Sequence, residues 1–133
     1  IEVSFNHFGD RGSIDVLASW RSPEIVLVVE VKTLLLSAEE TIRRLDVKTR
    51  LAVEIARERF GWPPRVVARL LVLGEANANR RRLARHAPVL DVTFPLRGRE
   101  ARQWLRAPSG PMSGLIFLPI SNPETPRHRN RAN

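Results

Sequence analysis

Residues 25–33 read IVLVVEVKT, an almost unbroken β-branched and apolar run that ends in Glu30-Val31-Lys32. Continuous apolar character over this length is the pattern of a central strand buried on both faces, as in a parallel or mixed sheet. A pair of charges at the end of such a strand is costly unless the charges are paired or used. Period 2 puts Glu30 and Lys32 on one face.

Working upstream, residues 13–20 (SIDVLASW) form a second strand that carries Asp15, with Ser13 and Leu17 on its side. Residues 1–6 (IEVSFN) alternate strictly between apolar and polar, as a half-buried strand does. Turn residues in His7-Phe8-Gly9-Asp10-Arg11-Gly12 predict a hairpin between these two strands. The chain opens at Ile1 in what already reads as a strand and without Met, the expectation being a piece of a longer protein.

Downstream, Ser37-Ala38-Glu39-Glu40 is a capping box, predicting a helix over 38–60 that Gly61-Trp62-Pro63-Pro64 closes. One stripe of that helix runs Ala38, Ile42, Leu45, Thr49, Ala52, Val53, Ala56, Phe60. A second, Val47, Leu51 and Ile55, predicts cover on the opposite side. Arg43, Arg50 and Arg57 recur along the flank between them. Beyond lie a strand over 66–73, a helix over 79–87, a short strand near 91–95, a helix over 98–106 and a strand at 114–118. This order predicts an α/β domain over 1–118, one mixed sheet with flanking helices. From Pro119 the chain turns polar and proline-rich, the composition of a disordered basic tail over 119–133.

The 133 residues, 43% hydrophobic, suffice for one ordinary core. No apolar run approaches the ~18 residues of a membrane span, and Ile1-Glu2-Val3-Ser4 has neither a basic n-region nor an apolar h-region. Cysteine is absent, which excludes disulfides, thiolate metal sites and cysteine nucleophiles and fits a cytoplasmic location. His7, His86 and His128 stand apart without ligand-like spacing, and no P-loop or nucleophile-elbow motif occurs. Trp20, Trp62 and Trp104 flank element ends and read as core plugs.

A net charge of +8 favours polyanionic partners such as nucleic acid. The cations are 20 Arg against two Lys, Lys32 and Lys48, a bias that a GC-rich genome produces without any binding role. Against that background a retained lysine points to a place that needs a compact cation able to lose its proton. Asp15, Glu30 and Lys32 would converge at a sheet end if their strands pair. Two hard oxygen ligands can hold Mg²⁺ while a lysine positions or deprotonates a water, the grouping that phosphodiester hydrolysis uses. Lys48 is either a second phosphate- or water-positioning group or a surface lysine on a long helix. Arg80, Arg81 and Arg82 either grip phosphates or form a solvated arginine face.

Asp15 followed by Glu30-Val31-Lys32 at the end of an apolar strand, and then by a capped helix, resembles the PD-(D/E)xK (restriction-endonuclease-like) superfamily. More narrowly, RGSIDVLASW, VVEVKT and ETIRRLDVKTRLA resemble an uncharacterised domain at the C-terminal side of helix-turn-helix proteins from actinomycetes. The resemblance implies an αβββαβ core whose first helix lies upstream of residue 1, with Mg²⁺ or Mn²⁺ as cofactor and DNA as substrate. Asp15 and Glu30 would be metal ligands, the Val31 carbonyl a third, and Lys32 the catalytic lysine. Glu2 would stand in for a glutamate that the superfamily's first helix often supplies.

The expectation is therefore a divalent-metal-dependent DNA endonuclease, with Arg43, Arg50, Arg80, Arg81 and Arg82 contacting nucleic acid. The alternative is a catalytically silent regulatory module attached to a helix-turn-helix transcription regulator. Oligomeric state stays open, a homodimer included.

Overall fold

The computed structural model describes residues 2–6 and 13–120. Residues 121–133 of the tail expected over 119–133, the segment 7–12 expected as a hairpin loop, and the histidines His7 and His128 lie outside the described residues. In chain order the elements are β1 (Glu2–Asn6), β2 (Ser13–Trp20), β3 (Ile25–Lys32), α1 (Ala38–Phe60), β4 (Val66–Gly74), α2 (Asn77–Arg85), α3 (Ala87–Thr93), β5 (Leu96–Arg97), α4 (Gly98–Arg106) and β6 (Ser113–Leu118). They make an α/β fold around one six-stranded mixed sheet of order β1-β2-β3-β4-β6-β5. β1, β2 and β3 are antiparallel neighbours, whereas β3, β4, β6 and β5 run parallel.

β3 is an inner strand whose first four residues are buried, as its apolar run requires. Alternate side chains feed two cores. Val26 and Val28 join Leu71, Leu73 and Leu115 under α1, with Leu45, Ala52 and Ala56 facing them; Leu90 and Phe94 of the α3 region complete this layer. Ile25 and Leu27 join Leu70 and Val72 on the other face beneath Ala101 and Trp104 of α4. Trp20 meets Trp104 edge to face at 5.9 Å, and Trp62 is buried against Phe60, so the tryptophans serve the core.

α1 starts as its cap dictates. The Ser37 side chain accepts from the Glu40 amide at 3.2 Å, and the helix ends at Gly61 with φ +79, a left-handed C-cap that glycine adopts without strain. The capping box is half made: the Glu40 carboxylate turns to Arg43 and Arg44 instead of reaching back.

Two expectations are corrected. The second apolar stripe of α1 is covered only in part: Val47 and Leu51 are 40% and 48% exposed, whereas Ile55 is half-buried. The segment expected as a strand near 91–95 is helix α3, and the strand that follows it is Leu96–Arg97. The valines there suggested a strand. However, Pro88 sits in the first turn and Leu90 and Phe94, four residues apart, carry the burial while Val89 and Val92 face solvent.

Candidate active site

Antiparallel pairing of β2 with β3 sets Asp15 directly opposite Glu30, on the face that α1 covers. Like charges at directly opposed positions, with Cβ atoms about 5 Å apart, repel each other and need a cation. The cation is Lys48. Its ammonium donates to Asp15 Oδ1 at 2.6 Å and to Glu30 Oε1, bridging the two carboxylates from above the sheet. Lys48 lies three residues after Leu45 and four before Ala52, so the helical period aims it at the sheet with the buried stripe.

Glu30 is 1% exposed, and its Oε1 receives the Lys48 ammonium. Asp15 is better placed for exchange with solvent, yet its Oδ2 is buried and has no hydrogen-bond partner among the described residues. Burial pushes the Asp15 carboxyl from its ordinary 3.8 up to about 6. The Lys48 hydrogen bond opposes that rise and the neighbouring Glu30 adds to it. The two opposed carboxylates share the Lys48 ammonium, and a proton on Asp15 relieves the repulsion between them.

Lys32 falls two residues beyond Glu30 on the same face of β3, about 7 Å along the strand and opposite Ser13. Among the described residues no ion pair joins it to Asp15 or Glu30; it flanks the pair. Val31, between them, is held in register by β2 and β4 on either side. Glu2 is not brought to the site. It pairs with Ser19 at the far end of β2, four residues from Asp15 or about 13 Å, and is exposed.

A buried amide holds the rim of the site. Asn79, at the start of α2, donates from Nδ2 to the Thr33 and Gly74 carbonyls at 2.9 and 2.8 Å and accepts from the Leu35 amide at 2.8 Å. It thereby pins the segment that follows Lys32 to the end of β4. Gly74 permits this closeness, because a Cβ there would lie 2.7 Å from the Thr33 carbonyl oxygen. Arg82 adds a bond from Nη1 to the Leu35 carbonyl at 3.1 Å. The sequence gives no sign of the Asn79 clamp beyond a polar residue at a helix start.

Beside the acidic pair lies a cleft of about 120 Å³, bounded by Leu17, Leu51, Ile55 and Arg59 as well as Asp15 and Lys48. The exposed Leu51 of α1 is part of its wall. The arginines expected at nucleic acid divide by environment. Arg43, Arg50 and Arg81 are exposed, Arg43 pairing with Glu40. Arg80 forms two 2.7 Å bonds to Glu75, and Arg82 braces the rim.

Among the described residues no group of three or more histidine and acidic side chains could hold a metal ion. Asp15 and Glu30 nevertheless suit a hard divalent cation such as Mg²⁺ or Mn²⁺, which binds through one or two carboxylates and keeps several waters. The buried, unpartnered Asp15 Oδ2 is the observation that fits such a ligand. Comparison with family models, with curated proteins and with solved structures finds no match to this chain.

Proposed function

We propose that the domain is a divalent-metal-dependent DNA endonuclease that hydrolyses phosphodiester bonds at the Asp15–Glu30 pair. The observation that carries this reading is the cross-strand opposition of two sequestered carboxylates, one with an unpartnered oxygen, at a sheet end beside two lysines. Such an arrangement is unfavourable for stability alone, and perturbed ionisable clusters concentrate at functional sites. Asp15 and Glu30 would hold Mg²⁺ or Mn²⁺, with the Val31 carbonyl as a third donor. When bound, the ion supplies neutralisation of charge that builds on the phosphate and polarises the attacking water. Lys32 would orient that water as an ammonium or, from its neutral amine form, take its proton, and Lys48 would keep the two carboxylates in position. The net charge of +8, with Arg43, Arg50, Arg80, Arg81 and Arg82 among its carriers, would draw the DNA in.

The Lys48 bridge favours a second reading. A lysine already joined to both carboxylates is also what a structural ion cluster looks like, and the domain would then be a catalytically silent, DNA-associated regulatory module. Lys32 separates the two. Plasmid nicking with Mg²⁺ or Mn²⁺ should be measured for the wild type and for Lys32→Arg, which keeps charge but not an ammonium of adjustable pKa. The nuclease reading expects the variant to stay folded, bind DNA and lose cleavage by about a hundredfold or more. No wild-type cleavage of any DNA form, or full activity in Lys32→Arg, would overturn it.

A further inference from the structure

On the other half of the sheet, at the C-terminal ends of β4 and β6, lies a larger cavity of about 360 Å³ that the acidic pair does not line. The chain leaves β4 towards α2 on one face of the sheet, Leu83 packing in the α1 layer. It leaves β5 towards α4 on the other, Ala101 packing in the opposite layer. Departure to opposite faces opens a crevice beyond the carboxyl ends of parallel strands, the general location of ligand sites in open α/β sheets.

The chemistry of the walls is specific. The floor is apolar, with Leu83, Leu115 and Phe117, and the rim carries the guanidiniums of Arg80, Arg97 and Arg102 against one carboxylate, Glu75. Arg80 lies as a plate over Phe117. Its guanidinium carbon sits 4.0 Å from the centre of the Phe117 ring, while Nε and Nη2 are fixed by the two 2.7 Å bonds to Glu75. A guanidinium so restrained gives up little further freedom on binding, and its plane is a surface on which a nucleobase stacks. Arg102 donates from Nη2 to the Phe117 carbonyl at 3.2 Å and has no acidic partner among the described residues, so its charge is uncompensated. Arg97 is anchored by the Phe94 carbonyl at 2.9 Å and by Asp91 at 2.8 Å.

The volume lies within the range of small-molecule sites, roughly 300–1,000 Å³. We infer that this crevice binds a nucleoside 5′-phosphate unit, the base against the Arg80–Phe117 stack and the phosphate on Arg102 and Arg97. The unit is either a free mononucleotide or one nucleotide of a polynucleotide. The inference does not rest on the nuclease reading: Arg80 alone is shared with the arginines named there, and none of Arg80, Arg97 and Arg102 lines the cleft beside Asp15.

Calorimetric titration at low salt with AMP, adenosine, inorganic phosphate and a short single-stranded oligodeoxynucleotide tests it. Arg80→Gln and Arg102→Gln are the probing variants, and Arg106→Gln, an exposed arginine at the other end of α4, is the control. Thermal melts verify that each variant is folded, and either probing variant alone suffices. Saturable AMP binding that weakens at least ~10-fold in the probing variants and persists in the control supports a free-nucleotide site. The same dependence for the oligonucleotide, with AMP much weaker, supports the polynucleotide source. The inference is overturned if neither ligand binds or if adenosine or phosphate alone binds as well as AMP. It is overturned equally if Arg106→Gln weakens binding as much as Arg102→Gln.

Discussion

Asp15 faces Glu30 across two strands, and the ammonium of Lys48 lies on both. Removing that ammonium leaves two opposed carboxylates, one of them buried, with their bridging cation gone. Lys48→Met should therefore cost about 3 kcal/mol in urea unfolding at neutral pH. Combining it with Asp15→Asn should restore much of the loss, since repulsion between the carboxylates is its source. A Lys48→Met protein within ~0.5 kcal/mol of wild type would show that the bridge does not hold the pair. A pH dependence follows from the same cluster. The folded Asp15 value, about 6, lies above the ordinary 3.8, so folding takes up a proton in between. The stability this contributes is fully present below the ordinary value and is lost as pH rises through about 6. Replacing Asp15 by Asn should flatten that part of a stability profile measured by denaturant unfolding; an unchanged slope would contradict the assignment.

At the scale of elements, α1 and the β3–β4 edge decide where the acidic pair sits. The convergence of Asp15 and Glu30 was legible in the sequence on the condition that their strands pair; the pairing puts the two residues directly opposite each other. Which lysine touches the pair was not legible. Lys32 shares a strand with Glu30, whereas contact with Lys48 depends on the register of α1 above the sheet, a tertiary variable that sequence period leaves free. The Leu45–Ala52 stripe contains the signal for Lys48, read from the sequence alone as equally a surface lysine. Asn79 supplies the rigidity of the edge, and Asn79→Ala would strand the Leu35 amide and remove donors from the Thr33 and Gly74 carbonyls. The expected loss is about 2–3 kcal/mol by urea denaturation, with faster amide exchange at Leu35. A neutral substitution would mean that the edge is held by other contacts.

For the whole molecule, the alternation of strands and helices was enough to predict a mixed sheet with flanking helices, and the buried run of β3 fixed its centre. The helix α3 was missed because Val89 and Val92 are β-branched but exposed, so their residue type misreports their place. The cover expected on the second side of α1 is partial, with only Ile55 of that stripe half-buried. Val47 and Leu51 remain open to solvent, and Leu51 lines the cleft beside Asp15. No helix of the described residues is long and apolar enough to cross a membrane. The 360 Å³ crevice had no counterpart in the sequence reading: Arg80 was singled out there with Arg81 and Arg82 as one run. The fold instead sets Arg80 against Phe117 and joins it to Arg97 and Arg102 from other elements.

The proposed nuclease requires Asp15 and Glu30 to form a divalent-metal site, and calorimetric titration of Mn²⁺ into the folded protein tests this most directly. Saturable binding of one ion per chain is the expected result. Affinity should fall as pH drops below about 6, where Asp15 takes up a proton, and binding should be abolished by Asp15→Ala and by Glu30→Gln. Equal Mn²⁺ binding by Asp15→Ala and the wild type, in variants shown to be folded, would contradict it.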